Sequence, residues 1–132
     1  MKKLLVDTDW LVGIFRNGDP HYKSAAKSLA KQFQSGNGVY VLNLVIQETG
    51  TVLSHRTGMG AVKLFWEKLP KLRLKIIWLD EVLEAEAWTV FLRQTKKGCS
   101  FVDCANLAVI DKYKLGGILS FDEFYPKELR LV

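Results

Sequence analysis

Apolar positions along this chain come as short unbroken runs alternating with stretches spaced three and four residues apart. Leu4-Leu5-Val6 is a compact run of the kind a buried strand shows, and Thr8 to Arg16 then carries Leu11, Ile14 and Phe15 at helical spacing until Asn17-Gly18-Asp19-Pro20 stops it. From Tyr22 onward, Ala25, Ala26, Leu29, Ala30 and Phe33 form the clearest amphipathic stripe in the sequence, closed by Ser35-Gly36-Asn37-Gly38. Val39 to Leu42, β-branched and aromatic, predicts a second strand, with Asn43 capping a helix that runs to about Arg56. Gly58 and Gly60 break the pattern before a helix over Ala61 to Leu69, which Pro70 closes. Leu74 to Leu79 reads as a third strand, and Asp80 as the cap of a helix bearing Leu83, Ala87, Val90 and Phe91 that fades at Lys96-Lys97-Gly98. Ser100 opens a helix apolar on two faces, Gly116-Gly117 ends it, Ile118 to Phe121 is a fourth strand and Leu129 to Val132 a short fifth.

Strands that alternate with helices predict an α/β fold with a mainly parallel sheet and helices on both faces, because a parallel strand needs a crossover that a helix supplies. The length of 132 residues fits one domain over 1–132, and 48% hydrophobic with 25% charged residues excludes disorder and fibrous repeats. Ligands of such sheets sit beyond the carboxyl ends of the strands, where strand order reverses, so chemistry is expected there. The apolar run at the N-terminus stops at Asp7, too short for a signal-peptide core or a spanning helix, which predicts a cytoplasmic protein without a membrane partner. Cys99 and Cys104 have no second cysteine motif, and His21 and His55 lie far from them, so both read as plain thiols and zinc is not expected. Nineteen Lys+Arg against fourteen Asp+Glu give a net charge of +5, a balance that suits a polyanionic partner, nucleic acid first.

Against that positive background the acids stand out by position. Asp7 follows the first strand and Asp122 the fourth, at the same rim of the sheet, and Asp103 lies in the first turn of the helix leading to the fourth strand. Glu48 has Leu44, Val45 and Val52 as its helical neighbours, which puts a carboxylate on an apolar stripe. Each of the three aspartates has a simple alternative role at a helix start, and Glu48 another as the partner of a lysine. As a set they make a stronger case. Four carboxylates gathered within ~5 Å repel by roughly 3 kcal/mol per pair at an effective dielectric near 20. Summed over several pairs, that rivals the stability of a small domain. Divalent cations or protonation make such a cluster tolerable, and oxygen-only ligation suits Mg²⁺ or Mn²⁺.

Leu4-Leu5-Val6-Asp7-Thr8-Asp9-Trp10-Leu11, the Glu48 helix, Ser100-Phe101-Val102-Asp103 and Leu119-Ser120-Phe121-Asp122 resemble, in order and spacing over essentially the whole chain, the PIN-domain nucleases, especially the VapC-type toxin ribonucleases. The resemblance implies a sheet ordered 3-2-1-4-5, metal-dependent cleavage of single-stranded RNA, a homodimer and inhibition by a small antitoxin. It makes Asp7, Glu48, Asp103 and Asp122 the catalytic set, with Asp7, Asp103 and Asp122 as ligands of Mg²⁺ or Mn²⁺. In that topology Asp80 follows an edge strand and is assigned to capping. Asp9 is either a group supporting the metal ligands from behind or first-turn charge, with the second favoured, while Asn106 and Asp111 are similarly ambiguous and are assigned no role. Ser100 and Ser120, beside the acids in sequence, are placed to orient a carboxylate or to cap. Arg56, Lys96 and Lys97 are the first choices for RNA phosphates. Trp10, Trp66, Trp78 and Trp88 offer stacking surfaces for bases, but core packing is the expected role of each. The competing readings are a non-catalytic RNA-binding or scaffold version of the same fold, and a phosphoacceptor domain, which Asp80 and Lys127 fit poorly.

Overall fold

The computed structural model describes all residues, 1–132. Strand β1 (Lys3–Val6) leads into α1 (Thr8–Phe15) and α2 (Tyr22–Ser35); β2 (Gly38–Leu42) into α3 (Asn43–Arg56) and α4 (Met59–Lys68); and β3 (Lys75–Ile77) into α5 (Glu81–Leu92) and α6 (Phe101–Tyr113), before β4 (Gly117–Leu119) and β5 (Arg130–Leu131). The five strands pair in parallel in the order β3-β2-β1-β4-β5. Right-handed crossovers dictate what lies above and below. The chain steps from β1 to β2 to β3 in one direction, which stacks α1 to α4 on one face; the return to β4 carries α5 and α6 onto the other. Packing follows suit, α1 against α2, α3 and α4, and α5 against α6.

Leu4, Leu5 and Val6 are fully buried because β1 is central and covered on both faces, as a near-continuous apolar strand requires. They join Trp10, Leu11, Val41, Leu42, Val45, Ile118, Leu119 and α6 residues Ala105, Ala108 and Val109 in one core, with a smaller cluster of Val12, Leu53 and Phe65 under α4. Gly117 sits where β5 passes so closely that a Cβ would lie 2.8 Å from the Leu129 carbonyl oxygen. Only glycine fits there.

Several local expectations change. Asn43 does not cap α3: Leu42 holds that position, and the Asn43 side chain accepts the Leu79 N–H at 2.8 Å, tying α3 to the end of β3. Helix α4 starts at Met59, because Gly58 at φ 116° makes the break and Gly60 lies inside the helix. Helix α6 ends before Gly116, through Lys114 in the left-handed conformation, which frees Gly117 for β4. The third and fourth strands are shorter than their apolar runs, since pairing with β2 ends at Ile77 and with β1 at Leu119. Of the tryptophans, Trp10 is in the core, but Trp66, Trp78 and Trp88 are 69%, 66% and 45% exposed. Trp66 lies on the outer side of α4, Trp78 follows an edge strand with no neighbour beyond it, and Trp88 packs on Phe91 and Phe101 from the surface of α5. No helix is long and apolar enough to cross a membrane.

Candidate active site

Strand order reverses between β1 and β4, and their carboxyl ends leave a cleft that neither crossover fills. Asp7 is the first residue past β1. Its backbone N–H donates to the Leu119 carbonyl at 3.1 Å, so it prolongs the pairing of β1 with β4, and its side chain caps α1 by accepting from Thr8 N–H at 2.8 Å. Asp103 is the third residue of α6 in a reciprocal capping box: its N–H donates to Ser100 Oγ at 3.0 Å, and its Oδ2 accepts from Ser100 N–H at 3.0 Å. Asp122 sits in the turn after β4, held by its own N–H to Ser120 Oγ and by Phe124 N–H donating to its Oδ1. One carboxylate oxygen from each of Asp7, Asp103 and Asp122 lies within 4.8 Å of the others.

None of the three forms an ion pair; the acids that do are Asp19, joined to Arg16 at 3.4 Å, and Glu86 and Asp111, paired with lysines on α6 and at its end. Neutral donors do the holding. Ser120 Oγ–H donates to Asp7 Oδ2 at 2.8 Å and Asn106 Nδ2–H to Asp7 Oδ1 at 3.2 Å. Asp7 is only 4% exposed, and its carboxyl is pushed up to about 7 from the ordinary 3.8, first by burial and next by the charge of Asp9, with Asp103 adding to it.

Glu48 faces the same space without joining the trio. A cavity of about 300 Å³ is lined by Asp7, Asp9, Asp103 and Asp122 together with Glu48 and Arg56 from α3. A second, of about 540 Å³, shares Asp103 and Asp122 and opens along Lys96, Lys97 and Cys99. Of the residues singled out in sequence, Asp7, Asp103 and Asp122 converge, Glu48 and Arg56 line one side, and Lys96 and Lys97 the other. Ser120 reaches the Asp7 carboxylate; Ser100 acts as the helix cap and through it steadies Asp103. Cys104 is buried, with its thiol pushed up to about 11 by burial first and Cys99 second, which leaves it protonated and inert.

Asp9 is more than first-turn charge. Its carboxylate accepts from Phe121 N–H at 3.1 Å and lies 3.4 Å from Ser120 Oγ, and burial raises it to about 6. It pins the loop that carries Asp122, and Phe121 in that loop stacks on His21 at 4.0 Å and 6°. Two further residues join the site, Asn106, which the sequence left ambiguous, and Tyr125, which it did not single out. Buried Asn106 donates to both Asp7 and Tyr125, and the Tyr125 hydroxyl donates to Asp103 Oδ1 at 3.3 Å. Asn106 gave a signal, an amide on a helix that is apolar on two faces; Tyr125, in a short polar segment after β4, gave none.

The arrangement is an open cleft with oxygen donors gathered at its base and basic side chains along its length. The same fold occurs in solved structures: VapC20 of Mycobacterium tuberculosis, a toxin that cleaves the sarcin–ricin loop, matches with a TM-score of 0.77 and 25% identity over 90% of this chain and 89% of that one. VapBC2 of Rickettsia felis, solved bound to a DNA fragment from its promoter, matches with a TM-score of 0.68 and 12% identity over 98% and 97%. No curated protein sequence is significantly similar to the chain. The PIN domain family model, however, matches residues 4–127, and the chain belongs to the PIN domain family.

Proposed function

We propose that this single domain is a metal-dependent endoribonuclease that hydrolyses phosphodiesters of single-stranded or loop RNA, and that it is the toxin of a toxin–antitoxin pair. The observation that carries the reading is the approach of Asp7, Asp103 and Asp122 to within 4.8 Å with no cationic side chain paired to any of them. The donor set fits a hard divalent ion: all oxygen, no histidine or cysteine, and one carboxyl, Asp7, buried without a cationic partner. Asp7, Asp103 and Asp122 would hold Mg²⁺ or Mn²⁺. When bound, such an ion offsets charge on the scissile phosphate and makes water a better nucleophile.

The chain's own residues supply the rest. Glu48, across the cavity from the aspartates, orients the attacking water and receives its proton. Ser120 and Ser100 keep Asp7 and Asp103 aimed. Arg56 on one side and Lys96 and Lys97 on the other hold backbone phosphates, so a strand crosses the acids between two basic margins. Open cavities on both sides favour an unpaired strand, and the kinship with VapC20 supports a ribonuclease acting on an RNA loop. Kinship with the VapBC2 assembly supports a small antitoxin as partner, and the resemblance of the acidic motifs to VapC-type toxins supports a homodimer.

The test is a mixed pool of structured RNAs incubated with Mg²⁺ or Mn²⁺, then with EDTA, comparing the parent with Asp103→Asn and sequencing the fragment ends. Cleavage that needs both the metal and Asp103 is the expected result. Binding without cleavage would instead support the scaffold reading, and cleavage indifferent to both changes would remove the mechanism.

A further inference from the structure

Tyr125 and Asn106 place polar groups in the core where apolar side chains of similar shape would fill the space. Both are buried, and the Asn106 Oδ1 atom has no hydrogen-bond partner at all. The amide has its nitrogen turned toward the Asp7 carboxylate, which accepts, and its oxygen is left facing the core. One N–H of Nδ2 goes to Asp7 Oδ1 at 3.2 Å and the other to Tyr125 OH at 3.0 Å. Having accepted there, the phenol sends its own hydrogen to Asp103 Oδ1 at 3.3 Å. Its ring is fixed independently, edge-on to Phe124 at 5.2 Å.

As core packing alone the pair is a poor choice, because a Leu and Phe in these places would leave no buried acceptor unpaired. As a bridge it has a clear use. Asp7 follows a strand and Asp103 lies in the first turn of a helix ninety-six positions later, and carboxylate oxygens brought within 4.8 Å of one another repel. A chain of neutral donors running from one to the other resists that separation. We propose that Tyr125 is a positioning residue which, together with Asn106, fixes the Asp7 and Asp103 carboxylates at the spacing at which they share one divalent cation. The inference rests on reading those acids as a metal site. Asp122 lies outside the bridge and is oriented by its own turn.

Mn²⁺ binding to the intact chain, measured by calorimetry and by the electron paramagnetic resonance signal of free Mn²⁺, tests this with Tyr125→Phe, the double variant Asn106→Leu/Tyr125→Phe, and Tyr113→Phe as a control at an exposed tyrosine. Removing such an outer hydrogen bond typically weakens metal binding by roughly 10- to 100-fold. Tyr125→Phe is expected at the lower end, with the control unchanged. Melting midpoints in EDTA should hold for Tyr125→Phe and hold or rise for the double variant, a divergence that a merely structural role would not produce. On RNA, the Mn²⁺ concentration for half-maximal cleavage rises in proportion, while kcat at saturating Mn²⁺ stays within a few-fold. A Tyr125→Phe affinity within two-fold of the parent overturns the proposal, as does unfolding of both variants, which would make the pair structural. A parent that binds no Mn²⁺ overturns the proposal and the metal-site reading together.

Discussion

Asp7 and Asp80 occupy equivalent places in the sequence, each following a short apolar strand and each capping the helix that comes next. Their surroundings are opposite. Asp80 follows β3 at the edge of the sheet, is exposed, and accepts only the N–H of Leu83. Asp7 follows the central β1, is buried, accepts from Thr8, Ser120 and Asn106, and meets two other carboxylates. The difference arises from strand order. At the edge one crossover passes over the strand end; between β1 and β4 the crossovers leave in opposite directions, and the gap collects side chains from β1, α3, α6 and the loop after β4. A carboxylate at a strand end becomes chemistry only where the topology brings others to it.

The sharpest way to break this comparison is to neutralise each acid in turn. Asp7→Asn or Asp103→Asn removes a charge that would hold a divalent ion, an interaction worth several kcal/mol in the transition state, and should lower the cleavage rate by roughly 10³-fold or more. Asp80→Ala should leave the rate within two-fold and cost about 1 kcal/mol in urea unfolding through the lost cap. Equal kinetic losses at both sites would end the distinction. Glu48→Gln should reduce kcat by about 10²-fold, the range of a lost proton acceptor, with Mn²⁺ affinity retained. Ser120→Ala frees the Asp7 carboxylate and the Asp122 turn together, and calorimetry should show Mn²⁺ binding weakened by about 10-fold.

The subtlest effect is on stability against pH. Asp7 and Asp9 are raised in the folded chain to about 7 and about 6, above their ordinary 3.8. The folded state therefore holds more protons than the unfolded one between these values, and the stability this gives is full below pH 4 and lost as pH rises through 7. In EDTA the parent should lose melting temperature from pH 5 to pH 8 more steeply than Asp7→Asn, and Mg²⁺ at pH 8 should restore it. Parallel curves for the two proteins would mean that Asp7 is not held short of counter-charge.

The strands, their parallel sense and the aspartates were legible because the apolar runs are short, the helical stripes between them clear, and each acid sits at a boundary the pattern marks; the order of the strands came from the family resemblance. Glu48 was legible through its conflict with an apolar stripe. Asp9 was misjudged because a first-turn acid has a sufficient local role; its bond to Phe121 N–H spans 112 positions and no local signal reports it. Tyr125 was missed for the same reason, since nothing in its own segment shows that its hydroxyl meets Asp103. Trp66, Trp78 and Trp88 were assigned to the core from residue type alone, whereas exposure is decided by which helix faces and which strand the fold leaves uncovered.

The proposed chemistry requires that Asp7, Asp103 and Asp122 hold a divalent cation. Crystals soaked in Mn²⁺ and measured at the manganese absorption edge answer this directly. The account predicts an anomalous peak bounded by those three carboxylates, absent from Asp103→Asn crystals treated alike. Wild-type crystals with no peak there, from protein that still cleaves RNA in Mn²⁺, would contradict it.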